Sequence, residues 1–437
     1  SSVFYLFAPY HLISLHFKNT IGEIFVFITI PLVFAFIEKF LSNKKFIYLL
    51  LAGFFLGITA LGHIFIAMVL IPIIFFYILF SSKNINKSLI HSFILFLIAS
   101  LISIYQWGAV IVYSSSLFTS QYPVDIKNLY YPTLKDLLYS PWRMGFLYQG
   151  SYGEISNLLG YIQLFSLVYI AYLTLRKKNL KHNKNKIFFW ILLILTSIFM
   201  VNRASISIWN LFPYINAAGP HRLLILTTFS ISIIAGYLAL LNKSNKKLIY
   251  ILIFLAISLT ILNWGNRKVI AENNDETLRN NIPYSTAQSE RHFYANSKWV
   301  NPNSQWFKSP PQNHLEIVNG QGKVLNIKRS STKHNYIIDA KTQLEIKENT
   351  LFFPGWKLTS NKVNIDIYPD DDGIIKTTLP SGLQVIEFNY QDLGNYKLFK
   401  IISLLTSSLI IFWIFYLSKS KAIDFYKTLK KYLLFHR

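Results

Sequence analysis

Long apolar runs separated by short lysine-rich spacers decide what this chain can fold into. A helix that crosses a bilayer needs about 20 mostly apolar residues, and runs of about that length lie at 23–40, 46–62, 64–80, 88–113, 157–175, 187–202, 222–242, 248–264 and 398–417. Only 14% of the 437 residues are charged, against roughly 25% in soluble domains. The sequence therefore predicts an α-helical polytopic membrane protein of about nine spans.

The positions of the basic residues predict which side of the membrane each loop occupies. The formal net charge is +23, and lysine and arginine beside membrane spans mark the cytoplasmic side. With nine crossings, the basic spacers after residues 40, 80, 175, 242 and 417 share one face. The segments 1–22, 114–156, 203–221 and 265–397 share the other. We expect a plasma membrane location, and no nucleic-acid partner because the charge is not gathered on one surface.

The segment 265–397 differs from the rest of the chain in charge and in pattern. The stretch from Glu272 to Asp392 holds 14 of the 20 acidic residues, so this region is almost neutral. Alternating apolar and polar residues predict half-buried strands at 324–327, 335–338, 364–367 and 384–388. Turn residues at 372–373 and 381–382 separate them. We expect an extracytoplasmic β-rich, sandwich-like domain here, with a helical or irregular lead-in over 272–300.

Polar residues in the first external segment are candidates for a site. Tyr10 and His11 precede Lys18, and Glu23 stands at the start of a very apolar helix. A carboxylate there complements the helix dipole, or it orients a sugar hydroxyl or a neighbouring base. Lys18 suits a phosphate as a point charge. Both interpretations of Glu23 remain open.

Two further external positions carry histidine or arginine. His63 interrupts two apolar runs, where it either closes a helix end or donates a hydrogen bond or a proton to a substrate. Arg222, beside His221, opens a helix where a cation opposes the dipole. An anionic ligand would explain that placement, and so would snorkelling to lipid headgroups. The sequence contains no cysteine, and no spacing near His63 is typical of metal ligands.

The loop 114–156 offers aromatic and acidic residues as well. Its tyrosines and tryptophans suit either an interfacial belt or stacking on sugar rings. Asp125 and Asp136 are possible acid or base groups, although nothing in their spacing distinguishes them.

Several of these motifs resemble one family. They resemble, in the same order, motifs of multi-spanning proteins described as 6-pyruvoyl-tetrahydropterin-synthase-related or YfhO-like. The motifs are residues 5–11 with Lys18 and 22–23, the histidine of 61–63, the run 220–223, and 353–356 followed by 379–382. Those proteins are grouped with the GT-C glycosyltransferases. Lys18 stands where that family commonly has arginine, and His221 where it has an aromatic residue.

The resemblance implies a GT-C-like enzyme. It would transfer a sugar from a polyprenyl-phosphate donor to an extracytoplasmic acceptor, an envelope glycan, lipid or protein. Lys18, His63 and Arg222 would meet the phosphate, with Tyr10, His11 and His221 beside the substrate and Glu23 and His63 in the catalytic role. Enzymes of this group carry a catalytic carboxylate in the first external loop, which we expect upstream of Ser1.

The resemblance implies three parts: a GT-C-like helical domain over 1–264, the β-rich domain over 265–397, and a last helix with a basic tail over 398–437. We expect Trp356 to anchor a core or turn rather than to serve as a sugar platform. No cofactor is expected beyond the lipid-linked donor, and a divalent metal stays open. The alternatives are a transporter or flippase of lipid-linked glycans, which would place charges near the middle of the spans, and a non-catalytic envelope scaffold.

Overall fold

The computed structural model describes residues 1–18, 20–82, 84–120, 131–138, 146–147, 154–155, 157–176, 184–212, 219–241, 245–262, 297–301 and 313–435. The chain forms two compact units. The first comprises Ser1–Gln106, Asp125–Val269 and Ile401–Arg437, and the second comprises Trp107–Val124 and Ile270–Lys400.

The helices follow the apolar runs. Their bounds are α1 Ser2–Leu6, α2 Pro9–Ile13, α3 Ile21–Asn43, α4 Phe46–Gly62, α5 Ile64–Ser81, α6 Ile85–Tyr113, α7 Leu134–Leu138, α8 Tyr161–Arg176, α9 Lys184–Val201, α10 Ile206–Trp209, α11 Leu224–Leu241, α12 Lys246–Leu262 and α13 Tyr396–Phe435. A π-helical turn, Ser14–Lys18, follows α2, and a 3-10 turn, Pro220–Leu223, leads into α11. A short antiparallel pair joins β1, Phe146–Leu147, to β2, Glu154–Ile155.

Each predicted span coincides with a helix, and six of the described helices are long and apolar enough to cross a membrane. Those six are Ile21–Asn43, Ile64–Ser81, Ile85–Ser116, Lys184–Val201, Pro220–Leu241 and Tyr396–Tyr416. The helices α4, α8 and α12 have 17, 16 and 17 residues, which is short for a span of about 20. The chain is therefore a multi-pass membrane protein, and the count of nine stays a prediction.

Close helix packing in the first unit depends on two glycines of α4. A Cβ atom on Gly57 would lie 2.7 Å from the Cβ of Ile102, and one on Gly53 would lie 2.9 Å from Ile98. The spacing of four residues puts both glycines on the side of α4 that faces α6. Small residues at this spacing let membrane helices approach closely, so the two glycines set the α4–α6 contact.

Charged contacts show which helix ends lie together in the first unit. Lys186, near the start of α9, donates to both carboxylate oxygens of Glu38 at 2.8 and 2.6 Å. Tyr77, near the end of α5, donates to the same carboxylate. The end of α3, the end of α5 and the start of α9 therefore share one end of the unit. That agrees with the predicted alternation of the loops.

The first residues depart from the sequence expectation. The segment 1–22 was expected to be wholly external, but Ser1 lies against Gly236, in the second half of α11. Helix α1 packs along α11 and α12, so that expectation is wrong for residues 1–6. The reason is that the apolar stretch 3–7 is far too short to be identified as a span, yet long enough to pack against two helices.

The second unit is built around a β-sandwich. Its strands are β3 Leu315–Asn319, β4 Gly322–Arg329, β5 Lys333–Ala340, β6 Leu344–Leu351, β7 Trp356–Ser360, β8 Val363–Ile365, β9 Tyr368–Pro369, β10 Ile374–Leu379 and β11 Gly382–Tyr390. A four-stranded sheet has the order β3-β6-β10-β9, and a five-stranded sheet has the order β4-β5-β11-β7-β8. Buried residues of both sheets, such as Ile338, Ile346 and Phe388, form one core.

The sequence predicted much of this unit. Strands β4, β5 and β11 contain the predicted segments 324–327, 335–338 and 384–388, and both predicted turns carry a glycine with positive φ, Gly373 at 81° and Gly382 at 106°. The segment 364–367 is wrong in part, because β8 ends at Ile365. Most of the predicted lead-in over 272–300 lies outside the described residues.

A buried carboxylate joins the two sheets. The side chain of Glu348 in β6 is fully buried, and its Oε1 lies 3.1 Å from Arg329 Nη2 and 2.9 Å from His334 Nδ1. The Tyr336 hydroxyl donates to the same oxygen at 2.9 Å. Burial, reinforced by the nearby Glu348 charge, raises the pKa of Tyr336. Trp356 packs beside this cluster with its ring 4.9 Å from that of His334, as expected of a core anchor.

The last turns of α6 belong to the second unit. The backbone N–H of Leu393, just after β11, donates to the Tyr113 hydroxyl at 3.1 Å. The Tyr113 ring also lies 5.3 Å from Tyr396, the first residue of α13. The helix end and the strand end are therefore tied together although 280 residues separate them along the chain.

Candidate functional site

The most informative polar contact of the first unit joins the starts of α3 and α11. Glu23 is the third residue of α3, and its side chain is only 1% exposed. Arg222 lies in the 3-10 turn before α11, and it forms an ion pair with Glu23 in which Arg222 Nε lies 2.9 Å from Glu23 Oε1. A buried carboxylate needs such a partner, because removing its charge from water is costly. The Arg222 side chain remains 24% exposed, so the pair has a buried acidic side and an accessible basic side.

Two hydroxyl groups also contact the Glu23 carboxylate. Ser14, in the π-helical turn, donates to Glu23 Oε2 at 3.4 Å and is fully buried. Tyr10 is 1% exposed, and its hydroxyl forms hydrogen bonds with Ser14 and Glu23. Burial raises the pKa of Tyr10 well above its ordinary value, and the Glu23 charge raises it further against the opposing effect of Arg222. Tyr10 is therefore a neutral phenol.

The Gly22 backbone brings His63 to this region. A Cβ atom on Gly22 would clash with the carbonyl oxygen of Gly62 and would lie 4.0 Å from His63 Cδ2. Only glycine lets the start of α3 meet the end of α4 so closely. His63 therefore lies beside the residue that precedes Glu23, at the break between α4 and α5.

A glycine turn holds the His221 and Arg222 side chains. Gly219 has φ 89°, a conformation that favours glycine. A Cβ atom there would lie 2.9 Å from His221 Cε1 and 3.3 Å from Arg222 Nη1. Pro220 then begins the 3-10 turn with its fixed φ. The turn thus packs against both side chains.

His11 is placed differently. Its ring stacks 5.2 Å from Tyr5 and lies 4.4 Å from Phe27, and its Nδ1 is 3.0 Å from the carbonyl oxygen of Tyr5. Burial lowers the pKa of His11, which favours the neutral imidazole. These contacts fix α1 and α2 against α3, and the substrate-binding role remains a prediction.

Other sequence candidates lie partly or wholly outside the described structure. Lys18 ends the π-helical turn, but its side chain is outside the described part, as is all of Asp125. Asp136 has a structural role, because its Oδ2 accepts hydrogen bonds from the Thr133 backbone N–H and hydroxyl at 2.8 Å each. Thr133 in turn accepts from the Asp136 backbone N–H at 3.2 Å, a reciprocal cap of α7.

The structure thus brings Tyr10, Glu23 and Arg222 into one cluster, places His63 and His221 beside its members, and adds Ser14. Sequence reasoning missed Ser14, since nothing near residue 14 marks a buried serine. It named Gly22 only as part of a motif. Within the described ranges no three His, Cys, Asp or Glu side chains lie close enough to hold a metal ion.

The cluster can present a guanidinium to an anion. Glu23 forms its ion pair with Arg222 at the Nε atom, and arginine carries further N–H donors on its two Nη atoms. Both Glu23 oxygens have partners within the protein, since Oε1 is paired with Arg222 and Oε2 accepts from Ser14. The catalytic role predicted for Glu23 and His63 stays a prediction. The chain matches no known protein-family model, no curated protein and no solved structure.

Proposed function

We propose that the protein is a membrane glycosyltransferase that moves a sugar from a polyprenyl-phosphate donor to an acceptor at the membrane surface. The observation that carries the proposal is the accessible Arg222 held by the buried Glu23. A lipid-linked donor keeps its phosphate at the membrane surface, and Arg222 stands at the start of a helix that is long and apolar enough to cross a membrane. A fixed guanidinium stabilises charge that develops on a departing phosphate.

The roles of the cluster follow from burial. Arg222 binds the phosphate, and Glu23 fixes its orientation from behind. Ser14 and Tyr10 hold Glu23 in turn, because both hydroxyls are buried against it. His63 and His221 are the remaining candidates for contact with the sugar or the acceptor.

Transfer of radiolabelled sugar from a polyprenyl-phosphate donor in isolated membranes tests the proposal. We expect Arg222→Ala to lose at least about a hundredfold in rate, since one donor to a transition-state oxyanion contributes about 10²–10³ in kcat. Glu23→Gln keeps the shape but removes the charge, and we expect a smaller loss. Arg203→Ala is the matched control, because Arg203 is an exposed arginine in a 3-10 turn just after α9.

Normal transfer by both Arg222→Ala and Glu23→Gln would remove the site assignment. Equal loss in Arg203→Ala would show that general surface charge, not the cluster, supports the activity. The transporter alternative makes a different prediction, movement of the intact lipid-linked glycan across vesicle membranes without a new glycosidic bond. A transporter would place charges near the middle of the spans. The ion pair of Glu38 and Lys186 instead lies close to the ends of α3 and α9.

A further inference from the structure

A proline inside α3 deprives one carbonyl group of its helical donor. Pro31 has no backbone N–H, so the carbonyl oxygen of Phe27, four residues earlier, cannot receive the regular hydrogen bond of an α-helix. Phe27 is only 2% exposed, and a buried carbonyl group without a partner is as unfavourable as a lost hydrogen bond. This point of α3 therefore needs a donor from outside the helix.

The Tyr5 side chain supplies that donor. Its hydroxyl donates to the Phe27 carbonyl oxygen at 2.6 Å. The His11 ring lies 5.2 Å from the Tyr5 ring and 4.4 Å from the Phe27 ring, and His11 Nδ1 is 3.0 Å from the Tyr5 carbonyl oxygen. Tyr5 is therefore held in place by α2 while its hydroxyl is bonded to the backbone of α3.

The part of α3 that Tyr5 contacts is the part that carries Glu23. Phe27 lies one helical turn after Glu23, about 6 Å along the axis at 1.5 Å per residue. Proline interrupts the backbone hydrogen bonds between residues 21–30 and the rest of the helix, and it is a common cause of bends. The orientation of residues 21–30 therefore depends on contacts outside α3. Two of these contacts are Tyr5 at Phe27 and Arg222 at Glu23.

We propose that Tyr5 is a positioning residue of the Glu23–Arg222 site, because its hydroxyl fixes the part of α3 that carries Glu23. This inference rests on the proposed function, in which the orientation of Arg222 decides how well it meets the donor phosphate. A misplacement of about 1 Å can lower an enzymatic rate about a hundredfold. Tyr5 acts through the backbone of α3 and not through contact with the substrate.

Replacing Tyr5 in two backgrounds tests the link to the proline. Tyr5→Phe keeps the ring, and we expect its equilibrium constant for unfolding in mixed detergent micelles to rise about tenfold, because a buried acceptor loses its hydrogen bond. We expect kcat for sugar transfer to fall about tenfold as well, for a displacement below 1 Å. Pro31→Ala restores an N–H that can bond to the Phe27 carbonyl, so in that background Tyr5→Phe should change both quantities by no more than about twofold.

Pro72→Ala is the matched control for the rescue. Pro72 also lies inside an apolar helix, α5, but its replacement supplies no donor to Phe27. In that background Tyr5→Phe should retain its effect of about tenfold on unfolding and on kcat. Rescue by Pro72→Ala equal to that by Pro31→Ala would overturn the proposal.

Unfolding also tests the position of Glu23 independently of any activity. If Tyr5 holds Glu23 against Arg222, Arg222→Met should raise the unfolding constant at least about threefold less in Tyr5→Phe than in the parent. Lys186→Met is the matched control, because Lys186 pairs with Glu38 near the other end of α3. Its effect should be the same in both backgrounds within about twofold.

The outcomes separate this inference from the proposed function. Normal unfolding of Tyr5→Phe, equal effects in the parent and in Pro31→Ala, or an Arg222→Met effect that does not depend on Tyr5 would each overturn the positioning role. Altered unfolding with unchanged kcat would also overturn it, since Tyr5 would then be merely structural. A parent that transfers no sugar but shows the expected unfolding constants would refute the proposed function and still support Tyr5 as the residue that positions Glu23.

Discussion

The Glu23–Arg222 pair permits a test that separates structural from functional roles. Replacing Arg222 by methionine leaves the Glu23 carboxylate, 1% exposed, without its cation. Loss of one member of a buried ion pair costs about 3–5 kcal/mol. Because Arg222 is 24% exposed, water reaches the vacated space in part, and we expect the lower end, about 3 kcal/mol.

The reverse change is milder. In Glu23→Gln the negative charge is lost, whereas the remaining Arg222 charge has access to water because that side chain is 24% exposed. The Ser14 and Tyr10 hydroxyls lose their charged acceptor, and a hydrogen bond to a charged group contributes about 1.5–3 kcal/mol, so we expect a loss of about 2 kcal/mol in the free energy of unfolding. The double variant Glu23→Gln/Arg222→Met contains no buried charge. We expect it to lose about 2 kcal/mol less than the sum of the single changes, within the usual range for contacting residues.

Unfolding in mixed detergent micelles, followed by tryptophan fluorescence, gives the four free energies of this cycle. Arg222→Met combined with Glu38→Gln is the matched control, because Glu38 is a carboxylate near the opposite end of α3. That pair should be additive within about 0.5 kcal/mol. Additivity of the Glu23 and Arg222 changes would refute the ion pair. A double variant that regains stability and full sugar transfer would refute the phosphate-binding role.

Two further predictions concern packing. Gly57→Ala should lower the apparent melting temperature, because the new Cβ would overlap Ile102 and overpacking costs about 1–3 kcal/mol. Gly236→Ala should leave the melting temperature unchanged or higher, because its Cβ would make only an ordinary contact at 3.4 Å. Equal shifts of the two variants in a thermal scan would contradict this prediction. Glu348→Leu should retain more stability than Glu348→Ala, since leucine fills the buried space while both changes leave Arg329 without its carboxylate. A thermal scan in which the alanine variant melts at a higher temperature than the leucine variant would argue against a close-packed site.

The helices were predictable because the bilayer imposes a length. An apolar run of about 20 residues has few alternatives to a helix, so the starts and ends of α4 and α5 fall within one residue of the expectation. The same reasoning failed at α1, whose apolar stretch is too short to carry the signal. Strand β8 was predicted too long, since pairing with β7 ends at Ile365 although the alternating pattern continues.

The sequence predicted most residues of the candidate site but not the contacts between them. Glu23 and Arg222 were each identified from their unusual places at helix starts, but nothing local indicates that they pair although they are 199 positions apart in the sequence. Ser14 was missed for the same reason, because its importance comes from the carboxylate that it contacts. Gly22 is needed because another helix ends against it. Such requirements are set by tertiary packing and leave no mark in local composition.

The contact between Tyr113 and Leu393 has a consequence for biosynthesis. A ribosome that adds about 5–20 residues per second needs about 15–55 s to cover the 280 residues that separate the two. During that interval the last turn of α6 has been made but its hydrogen-bonding neighbour has not. The nascent chain must therefore keep this aromatic end from premature association until the segment that contains Leu393 emerges from the ribosome.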